Sequence, residues 1–200
     1  MFSGIVDDIG EVLEIAGKEE KTFKIACNYP HGQIKMGASI ACHGICLSVI
    51  DKGEAAQQSW FSVNVTASTL AVTNAGQWKE KSRLHLERAL KMGDEIGGHM
   101  VSGHIDGLAE IIKIEKQESS NIMHFSASEK YISLIASKGS ITLNGTSLTV
   151  NEIEKKNFTI TLIPHTLETT LWAEAKEGDK VNLEIDIFAR TIARILEEKT

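Results

Sequence analysis

Apolar and polar residues alternate along most of this chain. In Phe158-Thr159-Ile160-Thr161-Leu162 three apolar side chains share one face and two threonines the other, the period of a half-buried strand. The same alternation runs through "SIACHGICLSV" (Ser39 to Val49), "SITLNGTSLTV" (Ser140 to Val150) and the stretch from Phe61. These runs are rich in Ile, Val, Thr and Leu, which suit a pleated surface. Asn144-Gly145 and His43-Gly44 each sit between two alternating runs and predict two-residue hairpin turns, since such pairs tolerate positive φ. Lys176 to Asp179 reads as another hairpin turn. Helix is confined to short pieces: "STLAVTN", "HTLETTLW" and the tail "FARTIARILEEKT", whose Phe188, Ile192 and Ile195 share one face. Such a stripe is buried against its own chain or against other copies of it.

The pattern occurs twice. "MFSGIVDDIGEVLEI" at the N-terminus matches "MVSGHIDGLAEIIKI" from Met100, with Ser3-Gly4 against Ser102-Gly103 and Ile5 against His104. Ser39–Val49 matches Ser140–Val150, so that Cys46 answers Ser147 and Ser48 answers Thr149. "FSVNVTASTLAVT" from Phe61 matches "FTITLIPHTLETT" from Phe158, and "SRLHLE" from Ser82 matches "DKVNLE" from Asp179. Four blocks in one order, a hundred residues apart, indicate a duplicated domain rather than a solenoid, whose repeats run to about 20–50 residues. The expected fold is all-β, with a small antiparallel barrel in each half. The divisions are 1–97 for the first barrel, 98–186 for the second and 187–200 for a C-terminal helix. Glu87 to Gly98 is the expected connector, with Gly97-Gly98 its hinge.

Charge and cysteine count narrow the functional classes. A formal charge of −6 and a pI near 5.7 argue against nucleic acid or an anionic membrane surface as partner. No stretch has the length of apolar residues that spans a bilayer, and no basic segment followed by an apolar run marks a secretory signal. Three cysteines, an odd number, do not suit a disulfide framework, so a reduced, cytoplasmic setting is expected.

The chemistry lies in the differences between the copies. Cys46 against Ser147 and Ile5 against His104 differ in kind, whereas Ser48 and Thr149 both keep a hydroxyl. Two related pockets lined by neutral donors and acceptors suit a flat, uncharged, hydroxylated heterocycle better than a phosphate or an acid. Taken singly these residues are ordinary: a strand threonine reflects β-propensity, and Cys46 between apolar neighbours is a buried thiol. Cys42-His43-x-x-Cys46 matches no common zinc spacing, and the GxGxxG and P-loop patterns are absent.

"MFSGIVDDIG", "GASIACHGICLSV", "HLERALKMGDEIGGHMVSGHIDG", "KGSITLNGTSLTVNE", "LIPHTLETT" and "GDKVNLEID" closely resemble the α-type riboflavin synthases, from Met1 to about Ala193. The resemblance implies two tandem six-stranded Greek-key β-barrels and a C-terminal helix, a homotrimer with active sites between subunits, and no metal or organic cofactor. It implies a transferase that dismutates two molecules of 6,7-dimethyl-8-ribityllumazine into riboflavin and 5-amino-6-(D-ribitylamino)uracil, the last step of riboflavin biosynthesis. It also raises association with a lumazine synthase shell.

The resemblance assigns Gly4, Ile5, Val6, Cys46, Leu47, Ser48, Ala67, Ser68 and Thr69 to the N-barrel pocket, joined by Gly103, His104 and Ile105. It assigns Lys138, Ser147, Leu148, Thr149, Ile163, Pro164, His165, Thr166, Leu167 and Glu168 to the C-barrel pocket, with Asp186 nearby. Catalysis is expected of His104, Cys46, Ser48, Ser147 and Asp186. A histidine near neutral pKa suits the acidic 7-methyl protons of the lumazine. Departures from the family pattern are Ser3 for Thr, His43 for Asn, Ser48 for Thr, His85 for Asn, Asn144 for Asp, and Ser68 where an acid is common. A non-catalytic lumazine carrier of the same fold is the alternative, but carriers lose the polar residues of one half and here both sets are present.

Overall fold

The computed structural model describes residues 1–55 and 57–197. Twelve strands carry the chain: β1 (Asp8–Ala16), β2 (Lys21–Cys27), β3 (Ser39–Cys42), β4 (Ile45–Ala55), β5 (Gln58–Val65) and β6 (Arg83–Arg88), then β7 (Gly107–Lys116), β8 (Asn121–Ser126), β9 (Ser140–Leu143), β10 (Thr146–Glu154), β11 (Asn157–Leu162) and β12 (Lys180–Ile185). Four short helices accompany them: α1 (Ala67–Val72), α2 (Glu129–Ile132), α3 (Pro164–Thr169) and α4 (Ile187–Glu197). Residues 198–200 of the expected terminal helix lie outside the described residues.

The first six strands close into a barrel in the order β1-β2-β5-β4-β3-β6. The next six close in the same order, β7-β8-β11-β10-β9-β12. Closure removes the exposed strand edges that an open sheet of this size would present. Each barrel encloses its own apolar core. Phe23, Ile25, Phe61, Val63 and Leu86 fill the first, and Met123, Phe125, Phe158, Ile160 and Leu183 the second. Phe158, Ile160 and Leu162 do point inward, as their alternation predicts.

The two hairpin signals hold. Cys42 faces Ile45 across His43-Gly44, and Leu143 faces Thr146 across Asn144-Gly145. All four turn residues have positive φ, 47° and 83° in the first and 44° and 82° in the second. Lys176–Asp179, by contrast, is a turn but no hairpin. It feeds β12, which pairs with β7 and β9 rather than with the strand before it.

These hairpins meet where the barrels touch. Asn182 Nδ2 donates to His43 O (2.9 Å), Asn74 N donates to Asn182 Oδ1 (2.7 Å), and Asn182 N donates to Asn144 Oδ1 (2.8 Å). His85 Nε2 accepts from Leu171 N (2.8 Å), which leaves its Nδ1–H to donate to Asn144 O (2.8 Å). The barrels are thus joined by a polar seam in which the backbone finds partners from the opposite half. A second junction is apolar: Phe2 pairs with Val101 by two backbone hydrogen bonds and packs with Ala41.

Candidate active site

On β4 the inward positions are Leu47 and Val49, so Cys46 and Ser48 face out of the barrel. On β10 Leu148 and Val150 point in, and Ser147 and Thr149 face out. The polar groups singled out by the repeat therefore line the outer wall of each barrel, not its interior. Val150 lies opposite Ile160, so counting along the pair brings Thr149 level with Thr161 and Ser147 level with Ile163, just before α3. In the first half Val49 lies opposite Val63, which brings Cys46 level with Thr66, the cap of α1. Each barrel thus offers the same shallow face: two outward polar groups on one strand, flanked by a short helix. Clefts of about 250, 320 and 370 Å³ lie at the polar seam, beneath the connector where Ser3 and Ile5 line it, and along β3, where Ser39 pairs with Ser48.

The third wall of each face comes from the other half. Gly4 O accepts from Ser147 N (2.7 Å), and Gly103 O accepts from Cys46 N (2.8 Å). The two Ser-Gly segments cross, each laying its glycine on the opposite barrel. Both glycines have positive φ, +76° and +79°, and a Cβ added to either would stand 2.6 Å from the Cβ of Ser147 or Cys46. Only glycine meets both demands. Each segment is held by a buried carboxylate. Glu87 accepts from Ser3 N (2.6 Å), Ser3 Oγ (2.9 Å) and Gly4 N (3.0 Å). Glu184 accepts from Ser102 N (2.7 Å), Ser102 Oγ (2.6 Å) and Gly103 N (2.9 Å). Burial pushes both carboxyls above their ordinary range, and these hydrogen bonds pull them back.

His99 completes the face on the second barrel. Its Nδ1 lies 2.7 Å from Ser147 Oγ and its Nε2 3.2 Å from Thr142 Oγ1. Burial lowers its pKa, with the Asp186 carboxylate acting in the opposite sense, so the ring is a neutral base. Asp186 itself accepts from Phe188 N (2.8 Å) at the start of α4.

The structure brings most of the expected site residues together and moves some. Cys46 and Ser48 share a face with Gly103 and His104, the latter exposed at the rim. Gly4 belongs with Ser147 rather than with the N-barrel pocket, and Ile5 and Val6 follow it on the same segment, because the segments cross. Leu47 and Leu148 are core residues, 6% and 8% exposed, since strand alternation turns them inward from their polar neighbours. Ile105 and Leu167 pack partly against the two cores. Ala67, Ser68 and Thr69 open α1, and Pro164, His165, Thr166 and Glu168 lie with Leu167 on α3, next to Ile163. Lys138 stands two residues before Ser140, the strand partner of Thr149. Gly98 is no hinge: a Cβ there would meet Ser3 O at 2.2 Å and Ser147 Cβ at 2.6 Å, so the position is one of close packing. His99, Glu87 and Glu184 are the residues the sequence reading left out. The recurrence of an acid at the end of both "SRLHLE" and "DKVNLE" was the available signal for the last two.

Two copies of one face, on two copies of one barrel, are matched by the lumazine binding domain model at residues 3–89 and 102–186. The chain belongs to the lumazine-binding domain family. It is 44% identical to the riboflavin synthase of Brucella abortus (strain 2308), over 98% of both chains, and 35% identical to that of Bacillus subtilis (strain 168), over 99% of this chain and 91% of the other. Crystal structures of LumP complexed with riboflavin and with 6,7-dimethyl-8-(1'-D-ribityl) lumazine share the fold, with TM-scores of 0.80 and 0.78 at 22% and 21% identity. Each covers 92% of this chain and 99% of the other. The lumazine-binding repeats coincide with the two closed barrels.

Proposed function

We propose that this chain is a riboflavin synthase, a transferase that dismutates two molecules of 6,7-dimethyl-8-ribityllumazine. One gives up a four-carbon unit and leaves as 5-amino-6-(D-ribitylamino)uracil; the other receives it and leaves as riboflavin. The observation that carries this reading is the pair of equivalent faces with unequal chemistry. One presents Cys46 and Ser48 beside the Gly103-His104 segment, and the other Ser147 and Thr149 beside the Gly4-Ile5 segment and His99. A reaction between two copies of one substrate in different roles needs such a site pair, and donor and acceptor together supply all the reacting atoms.

The groups present suit each step. The neutral imidazole of His99, or the ring of His104 at the rim of the other face, takes a proton from the 7-methyl group of a lumazine, whose carbanion spreads into the electron-poor ring. Cys46 and Ser147, at equivalent places, position or deliver the nucleophile that holds the second ring in its reactive form. Lys138, Thr149 and Thr166 offer hydrogen bonds to the ring and its ribityl hydroxyls. Stacking two like rings replaces a bimolecular encounter by a local one.

Both faces are open, and a ring bound to either would be half exposed. This supports a homotrimer in which the N-barrel face of one chain covers the C-barrel face of the next. The apolar row on α4 supports the same assembly: Phe188 and Ile192 are 63% and 58% exposed in the single chain. The three free cysteines accord with a cytoplasmic enzyme. The test is to mix the protein with 6,7-dimethyl-8-ribityllumazine alone and follow absorbance. Riboflavin forming at half the rate of lumazine loss is the expected result; binding without turnover would make the protein a carrier.

A further inference from the structure

In each half one glycine bridges the two barrels through its two backbone groups. Gly4 N–H is held by Glu87 of the first barrel while Gly4 C=O binds Ser147 N of the second. Gly103 N–H is held by Glu184 of the second barrel while Gly103 C=O binds Cys46 N of the first. We infer that Glu87 and Glu184 are crossed positioning residues, each fixing the substrate face on the barrel to which it does not belong. The inference rests on the lumazine reading of the two faces.

The geometry makes the carboxylate specific. Three donors converge on two oxygens in each case, and none of the three can turn into an acceptor except the serine hydroxyl. A glutamine keeps the size but replaces one acceptor by an N–H that opposes a backbone N–H. The Ser-Gly peptide then turns away from the glutamine. Because the glycine is packed against Ser147 or Cys46, the shift passes through its φ and ψ to its carbonyl, which leaves the pocket strand. The residue carried out of place is Ile5 on one face and His104 on the other. The Gly103-His104 segment has a second tie, to α4, since Arg190 Nη2 donates to Asp106 Oδ2 (2.7 Å) and to His104 O (3.3 Å). A carboxylate that only braced its own barrel would, when replaced, weaken the face on that barrel, and one that held the fold as a whole would weaken both faces together.

A thiol on each face reads the difference. Cys46, half-buried on the first face, is the reporter there, because Cys27 and Cys42 are buried. The double change Cys46→Ser, Ser147→Cys moves the reporter to the matching place on the second. Protection from iodoacetamide by 6,7-dimethyl-8-ribityllumazine is then titrated in the cold, over times short against turnover. Glu184→Gln should raise the concentration for half-protection of Cys46 about tenfold, the loss of one charge-assisted hydrogen bond. It should leave the reporter on the second barrel within about twofold. Glu87→Gln should give the reverse. Ser102→Ala and Ser3→Ala, which remove one donor each, should show the same crossing more weakly and serve if the glutamine variants fail to fold. Equal shifts at both reporters, shifts confined to the carboxylate's own barrel, or no shift at all overturn the inference. Absence of protection in the unaltered chain overturns the lumazine reading itself, and this inference with it.

Discussion

Ser147 Oγ and His99 Nδ1 stand 2.7 Å apart on the outer wall of the second barrel, 48 residues from each other in the chain. The ring is neutral because it is buried, and its far nitrogen is tied to Thr142 Oγ1 at 3.2 Å. A neutral imidazole between two hydroxyls donates to one and accepts from the other, so one ring nitrogen keeps the lone pair that a general base needs. His99→Ala should therefore lower kcat by about 10²–10³ with a much smaller change in KM, the usual scale for a lost general base. Because its pKa is lowered, the acid limb of the kcat profile should lie below the ordinary histidine range, and His99→Asn should remove that limb. A limb unchanged in the variant would assign the titration to another group.

The crossing of the Ser-Gly segments predicts the cost of a single methyl. Gly103→Ala forces a φ of +79° on a residue with a Cβ, and that Cβ meets Cys46 Cβ at 2.6 Å. The two penalties together should destabilise the fold by about 2–4 kcal/mol. Urea unfolding measures it directly, and Gly37→Ala, with φ +75° but open space around it, should cost clearly less.

How much of this was written in the sequence differs from feature to feature. The barrels, the two hairpins at His43-Gly44 and Asn144-Gly145 and the short helices after β5 and β11 were legible because alternation, turn pairs and the duplication are local signals that agree with one another. Lys176–Asp179 gave a turn with no hairpin. Leu47 and Leu148 turn their side chains into the cores, because a contiguous motif reads as one surface whereas a strand turns every second side chain away, so only their backbone can meet a ligand on the outer face. That Gly4 lies against Ser147 of the second barrel was not legible for a deeper reason: duplication states which segments are equivalent, not which barrel each lies on, and straight and crossed arrangements have the same local sequence. His99 was passed over because its partner Ser147 is brought near only by the crossing. His43 and His85, which depart from the family's asparagines, were noted, but their place in the seam between barrels was beyond any pattern in the chain.

That seam makes stability depend on pH. Burial holds the His85 pKa at about 4 in the folded chain, against an ordinary 6.5, and lowers that of His43 as well. A histidine with a depressed folded pKa favours folding fully above its unfolded pKa, and that contribution is lost as pH falls from 6.5 towards 4. For His85 the loss amounts to about 3 kcal/mol. Glu87 and Glu184, raised by burial, act with the opposite sign, so the comparison has to be made between variants. His85→Asn, which copies Asn182 at the equivalent position, should flatten the dependence of urea stability between pH 6.5 and 4 relative to the unaltered chain. An unchanged slope would place the titration elsewhere.

Lys138 has φ +66°, and the matching position in the first half is Gly37, with φ +75°. Their amides make the same bond, Gly37 N to Val49 O and Lys138 N to Val150 O, each at 2.8 Å. The first repeat thus uses the residue that the conformation favours, while the second pays for a lysine, at about 1 kcal/mol for a left-handed side chain. Strain of this kind persists where the side chain serves a purpose, and Lys138 stands two residues before Ser140, the strand partner of Thr149. Lys138→Gly should leave thermal stability equal or higher, because the relief of strain roughly offsets the added freedom of the unfolded chain. It should weaken lumazine binding by about tenfold, the worth of one hydrogen bond to a charged donor. Fluorescence titration beside a thermal melt separates the two effects. A glycine variant that loses stability and keeps its affinity would show that the lysine holds the turn and not the substrate.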